Sequence, residues 1–277
     1  MRLATIRLPG RTTAVRAEGD EAVELDAPDL GALLADPAWR ARAEAASGAR
    51  HRIDGLDLAP PVPRPDKVVC VGLNYRDHIA EFDRETPEHP TLFAKFSGAL
   101  IGAHDDIELP WASEKADWEA ELGVVVGAPL RNPTRAEALA GIAGYTVVND
   151  VSVRDWQYRT SEWLQGKTWE RTTPVGPWLV TADESPGPSR TIECLVDGES
   201  MQLADTADMI FDPADVVAYV ATFITLLPGD LIATGTPSGV GSGRKPRRFL
   251  VEGEVVTTRI EGVGELRNRC RRTPPTR

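Results

Sequence analysis

The sequence predicts an α+β protein organised on one dominant sheet. Short runs of β-branched and apolar residues recur along the whole chain, and few helical stretches separate them. A valine run bounded by glycine, Gly123-Val124-Val125-Val126-Gly127, marks one of these strands as buried. At 277 residues the chain can bury one large core and carry a small appended domain.

Residues 1–62 read as a small N-terminal α/β domain. Strands are expected at 3–8, 13–17 and 22–25, followed by a stretch at 30–46 rich in Ala, Leu and Arg. Pro37 divides that stretch, because proline removes a helix hydrogen bond. The proline-rich segment 58–65 is extended and marks the boundary to a main domain, 63–277. There the apolar runs 67–72, 91–96 and 106–109 read as strands, with a helical turn at 77–82. A charged, proline-bracketed segment, 83–90, reads as an exposed loop or a lid. The valine strand follows, then a short helix at 133–140, a strand at 144–150 and a helix beginning at Val151. Strands at 177–181, 191–196 and 200–204 come next, the last two flanking the hairpin dipeptide Asp197-Gly198. Asp212-Pro213 opens a helix to about Leu226, with Asp as N-cap and Pro in the first helical position. Strands at 231–234, 254–260 and 264–267 close the domain, and the basic tail 269–277 is expected to fray.

The net charge of −11 argues against nucleic-acid binding and against an anionic membrane surface. Cys70, Cys194 and Cys270 are few, odd in number and far apart, which fits a reducing cytoplasm better than a disulfide framework. Met1–Arg7 lacks the apolar core of a signal peptide, and no apolar run is long enough to span a bilayer.

The chemistry centres on Asp117-Trp118-Glu119-Ala120-Glu121-Leu122, which leads into the valine strand. Alternate side chains of a strand share a face, so Glu119 and Glu121 project together. Asp150 ends the later apolar strand. Three carboxylates without a nearby histidine or thiolate make a hard oxygen site, suited to Mg²⁺ or Mn²⁺, with Ca²⁺ admitted by the same chemistry. A dication among three carboxylates leaves one formal negative charge, which Lys167 would neutralise if it points inward. Taken singly, these residues have plainer readings: a solvated strand face for the glutamates, a helix cap for Asp150, a loop lysine for Lys167. His78 and Glu81, three apart on one helical face, can equally be an ordinary surface pair.

Jointly the pattern is specific. Val71-Gly72-Leu73-Asn74-Tyr75-Arg76-Asp77-His78-Ile79-Ala80-Glu81 resembles the first signature of the fumarylacetoacetate hydrolase family. Asp117–Leu122 is similar to that family's metal motif. Asn149-Asp150-Val151-Ser152-Val153-Arg154-Asp155-Trp156-Gln157, Gly166-Lys167-Thr168 and Ala233-Thr234-Gly235-Thr236-Pro237-Ser238-Gly239-Val240-Gly241 match the later ones, in order, between Lys67 and Asn268. The resemblance implies a mixed β-sandwich roll with a small N-terminal domain, a homodimer, and Mg²⁺ or Mn²⁺ held by Glu119, Glu121 and Asp150. It implies His78 and Glu81 as the dyad that activates water or moves a proton, and Gln157 and Lys167 as oxyanion-stabilising groups. Thr236, with Gly235 and Arg76, is placed at the substrate, and 83–90 at the family's lid. Glu170-Arg171-Thr172-Thr173 and Gly98 depart from the family pattern near the expected substrate walls.

The expected function is hydrolysis of a C–C bond in an acylpyruvate-type β-diketo acid. The alternative enzyme is an isomerase or decarboxylase of 2-hydroxyhepta-2,4-diene-1,7-dioate-like or oxaloacetate-like oxo-acids. A metal or oxo-acid binding protein without catalysis is the reading from another class; a passive binder would need neither the dyad nor Lys167.

Overall fold

The structure, a computed structural model, describes residues 1–184, 187–272 and 274. It opens with an antiparallel meander of β1 (Arg2–Leu8), β2 (Arg11–Glu18) and β3 (Glu21–Glu24). As Pro37 required, the following helical stretch is two pieces, α1 (Leu30–Leu34) and α2 (Trp39–Ala45). The Asp29 side chain caps α1 by accepting from the Ala32 N–H. A short β4 (Arg50–Arg52), too polar to stand out in the sequence, pairs with β3 at the sheet edge.

After the proline segment come β5 (Val68–Gly72), α3 (Arg76–Glu81) and β6 (Thr91–Lys95). Three short strands, β7 (Leu100–Ile101), β8 (Ile107–Leu109) and β9 (Ala116–Asp117), lead to β10 (Ala120–Val126), which is buried along its whole length. The helix α4 (Arg135–Ala140) starts in a capping box of Thr134 and Glu137 and leads into β11 (Ile142–Asn149). The helix expected from Val151 begins three residues later. Ser152 and Val153 instead form β12, paired with β9, before the one-turn helix α5 (Arg154–Gln157). A second one-turn helix, α6 (Leu164–Lys167), precedes β13 (Thr173–Thr181). The hairpin β14 (Thr191–Val196) and β15 (Glu199–Asp205) turns at Asp197-Gly198, as expected. Then follow α7 (Pro213–Phe223), capped by Asp212, β16 (Leu231–Ala233), β17 (Val255–Ile260) and β18 (Gly264–Arg272).

The main sheet has the order β4-β3-β2-β1-β13-β11-β10-β16-β5-β6, with β7 alongside β13. Pairing of β1 with β13 joins the N-terminal meander to it. A second sheet, β15-β14-β17-β18-β8, covers one face. Both sheets mix parallel and antiparallel pairs, and Trp118, wholly buried, sits in the larger core. The fold is thus the α+β roll the sequence predicted, with helices only at the margins. The tail expectation needs correction. Residues 269–272 do not fray, because Cys270 is buried and Cys270–Arg272 pair in parallel with β8. Of the rest of that tail, 273 and 275–277 lie outside the described residues.

Candidate active site

Sheet register assembles the carboxylates. Glu119 immediately precedes β10 and Glu121 lies one step into it, so both point to one face. β10 pairs antiparallel with β11, Ala120 opposite Asn149, and the Asp150 N–H donates to the Glu119 carbonyl at 2.8 Å. One oxygen from each of Glu119, Glu121 and Asp150 lies within 4.8 Å of the others. These side chains are 5 %, 1 % and 0 % exposed, which rules out a solvated face or a simple helix cap.

Burying three acids together requires compensation. Lys167 Nζ donates to Glu119 Oε2 at 2.6 Å and to Asp150 Oδ2 at 2.8 Å. It also sits 4.8 Å from the centre of the Phe93 ring. Lys95 Nζ reaches Asp150 Oδ1 at 2.5 Å. Arg154 Nη2 lies 2.7 Å from Glu119 Oε1, an ion pair without the alignment of a hydrogen bond, while its Nε donates to Asp117 Oδ2 at 2.7 Å. Burial alone would raise the Glu119 carboxyl, but Lys167 and Arg154 override it and hold the pKa at about 2. Burial alone would lower Lys167, yet Asp150 and Glu119 raise it, so the ammonium is firmly charged.

Glu121 is different. Among the described residues no cation pairs with it, and its one close donor is the Gly235 N–H, 2.8 Å from Oε2. Burial first, then Asp150 and Glu119, push its pKa well above the carboxylate range. Gly235 holds φ at +102°, and a Cβ there would stand 2.8 Å from Asn74 Cβ, so only glycine brings this N–H to the carboxylate. A hard, buried oxygen set with one acid lacking a counter-charge fits a divalent cation such as Mg²⁺, Mn²⁺ or Ca²⁺.

Glu119 and Glu121 face a cavity of about 500 Å³, its open mouth included, that His78, Arg154, Gln157, Lys167 and Thr236 also line. His78 is buried rather than a surface residue. Its Nδ1 is 3.0 Å from Glu81 Oε2, and Glu81 Oε1 accepts from the Gly239 N–H at 3.0 Å. A carboxylate on Nδ1 fixes the proton there and leaves Nε2 for the cavity. Gln157 Oε1 accepts from Arg154 Nη1 at 2.9 Å, which turns the amide NH₂ outward as a donor. Thr236 Oγ1 accepts from Gln202 Nε2 at 2.8 Å, so its own hydroxyl hydrogen is free to donate.

The structure therefore gathers Glu119, Glu121, His78, Gln157, Lys167 and Thr236 around one cavity, with Asp150 joined to it through Lys167 and the carboxylate cluster and Glu81 through His78. Gly235 contributes through Glu121 and does not line the cavity. Arg76 is not brought there: it is exposed, because residues two apart on a helix point about 200° apart. Of the segment 83–90, Arg84 reaches the cavity wall. The two departures from the family pattern meet each other, the Arg171 N–H donating to the Gly98 carbonyl at 3.0 Å, and neither lines the cavity. Sequence reasoning missed Lys95, Arg154, Asp117 and Gln202 as site residues. Lys95 had a signal, being one of only five lysines and ending an apolar strand. Gln202 had none: it arrives from the other sheet to bind Ala120 N–H, Thr236 and the Pro237 carbonyl.

A mixed β-roll that buries a carboxylate trio able to hold a divalent cation, beside a His–Glu pair at one cavity, has the layout of an enzyme site. Residues 67–271 match the family described as fumarylacetoacetate (FAA) hydrolase C-terminal. The chain belongs to that family and is a fumarylacetoacetate hydrolase-family enzyme. It is 46 % identical over 211 residues to the oxaloacetate tautomerase Fahd2a, mitochondrial, of Rattus norvegicus, covering 76 % of this chain and 67 % of the relative. The solved fumarylacetoacetate hydrolase of Exiguobacterium antarcticum superimposes with a TM-score of 0.87 at 31 % identity, over 99 % of this chain and 100 % of that one. A 2-hydroxyhepta-2,4-diene-1,7-dioate isomerase from Mycobacterium marinum gives 0.79 at 32 % identity, with the same coverage. Among the described residues no helix is long and apolar enough to cross a membrane.

Proposed function

We propose that this enzyme moves a proton on a short 2-oxo acid, interconverting the keto and enol forms of an oxaloacetate-like dicarboxylate. The observation that carries the reading is His78, backed by Glu81, lining the same cavity as Glu119 and Glu121, whose carboxylate cluster Asp150 completes. When bound by those three carboxylates, a divalent cation would supply a Lewis acid for adjacent carboxylate and ketone oxygens.

The residues then divide the work. His78 Nε2 takes a proton from the carbon next to the ketone, and the electron pair of that C–H bond forms the C=C bond of the enolate. Glu81 stabilises the resulting imidazolium. Lys167 spends two of its three N–H bonds on Glu119 and Asp150, which leaves one for the charge growing on the ketone oxygen. The Gln157 amide is a second donor, and such donors are worth about 3 kcal/mol each when well placed. Proton return to oxygen completes the isomerisation. Thr236 and Arg154 hold the carboxylate ends. Four buried carboxylates, Asp117 included, against Lys95, Lys167 and Arg154 leave one formal negative charge. A dication inverts that sign and favours an anionic substrate. The named relatives support this class of chemistry.

The test is ketonisation of enol-oxaloacetate, followed by loss of enol absorbance, with Mg²⁺ or with EDTA. Acceleration above the Mg²⁺-only control that disappears in EDTA and in His78→Ala supports the reading; a rate equal to the control overturns it. Hydrolysis of an acylpyruvate is the second reading. It is favoured by Gln157, whose outward amide suits a tetrahedral oxyanion, with His78 drawing its proton from water instead of carbon. Pyruvate release from an acylpyruvate panel separates the two.

A further inference from the structure

We propose that a second cavity, on the reverse of β10, binds a monocarboxylate with an apolar body. It does not depend on the reaction proposed above. Leu122 follows Glu121 on β10 and so faces the opposite way. With Tyr145, Leu139, Met209, Ala214 and Arg190 it lines a separate cavity of about 950 Å³, mouth included. Most of the wall is apolar.

Arg190 is the exception that assigns a ligand. It is 3 % exposed, and its Nε has no hydrogen-bond partner among the described residues. Among the described residues no carboxylate pairs with its guanidinium; its close neighbour is the Tyr145 ring, 4.8 Å from centroid to Cζ. The other charges in the wall are already matched. Arg135 is bound to Asp212 and, at 2.8 Å, to Asp215 Oδ1, and Asp212 also caps α7. A buried guanidinium N–H without an acceptor is costly, and the planar fork that carries it matches a carboxylate with two parallel hydrogen bonds. One fork among apolar walls therefore fits one carboxylate attached to a hydrocarbon or aryl body.

The experiment is calorimetric titration of the full chain with phenylacetate, in saturating Mg²⁺ and oxalate so that the catalytic cavity is blocked. Saturable binding of one phenylacetate per chain is expected, with neutral phenylacetamide at least about tenfold weaker, the discrimination a charge-assisted pair confers. Arg190→Gln should weaken phenylacetate by at least about tenfold. Leu139→Trp keeps Arg190 and fills the mouth from α4, where Leu139 is 47 % exposed, so it should weaken binding without disturbing the core. No saturable binding to the wild type, equal affinity for acid and amide, or unchanged affinity in both variants would each overturn the proposal. So would a carboxylate from a second copy of the chain seated against Arg190.

Discussion

Glu121→Gln separates the demands of folding from those of the site. Glu121 is 1 % exposed, accepts one N–H, and has two other acids beside it. Glutamine keeps the size and an oxygen for the Gly235 N–H while removing the charge. In metal-free protein the substitution should therefore stabilise. Glu121's folded-state pKa lies above its ordinary value of 4.5, so the folded chain holds that proton more tightly than the unfolded one. Its stabilising contribution is full below 4.5 and is lost as pH rises from there through the folded-state value. Relief of an uncompensated buried charge is worth about 1–3 kcal/mol, or a rise of about 2–5 °C in Tm for a chain of this size. The assay is thermal unfolding of EDTA-treated wild type and variant from acid to roughly pH 8. The two curves should converge near the ordinary carboxylate range and separate above it, with the variant higher. Excess Mg²⁺ should then reverse the order: at about a thousand times Kd it adds about 4.1 kcal/mol to a binding-competent protein and little to the variant. A metal-free variant no more stable than wild type at high pH, or Mg²⁺ lifting both equally, would refute the reasoning.

Three further outcomes are expected. His78→Ala should slow turnover by about 10²–10⁴-fold while the Mg²⁺-induced rise in Tm persists; an unchanged kcat would reassign the base. Lys167→Met strips the shared cation from Glu119 and Asp150, and breaking such a buried pair costs about 3–5 kcal/mol. Urea unfolding in EDTA should show the full loss, and Mg²⁺ should recover part of it. Gly166→Ala places a Cβ 2.5 Å from the Gln157 backbone. It should push α6 off α5 at about 1–3 kcal/mol of overpacking, and displacing Lys167 from Gln157 should lower kcat more than it raises KM.

The carboxylate trio was legible because its assembly is nearly local: alternation on one strand sets Glu119 and Glu121, and the adjoining antiparallel strand delivers Asp150. His78 and Glu81 were legible for the same reason, one helical turn apart on α3. Pro37 and Asp212-Pro213 announced their boundaries through backbone chemistry. Lys95 was not readable as a site residue, since it comes from β6, separated from β10 by β16 and β5. Gln202 belongs to the other sheet altogether, and no local pattern distinguishes a glutamine that will bridge two sheets from one that faces water. Arg76 shows the opposite failure: motif proximity suggested the substrate, and helix geometry turned it outward. Short β12 replaced the expected helix start because pairing with β9 outweighs the local preference of two residues.

The Lys167 ammonium, held between Glu119 and Asp150, makes the polypeptide its own counter-ion. An emptied centre need not unravel, because the charge that a departing ion leaves behind is partly answered from within. On this arrangement the fold would not wait for an ion, and a species taken up by the three carboxylates would follow supply in its surroundings as much as intrinsic preference.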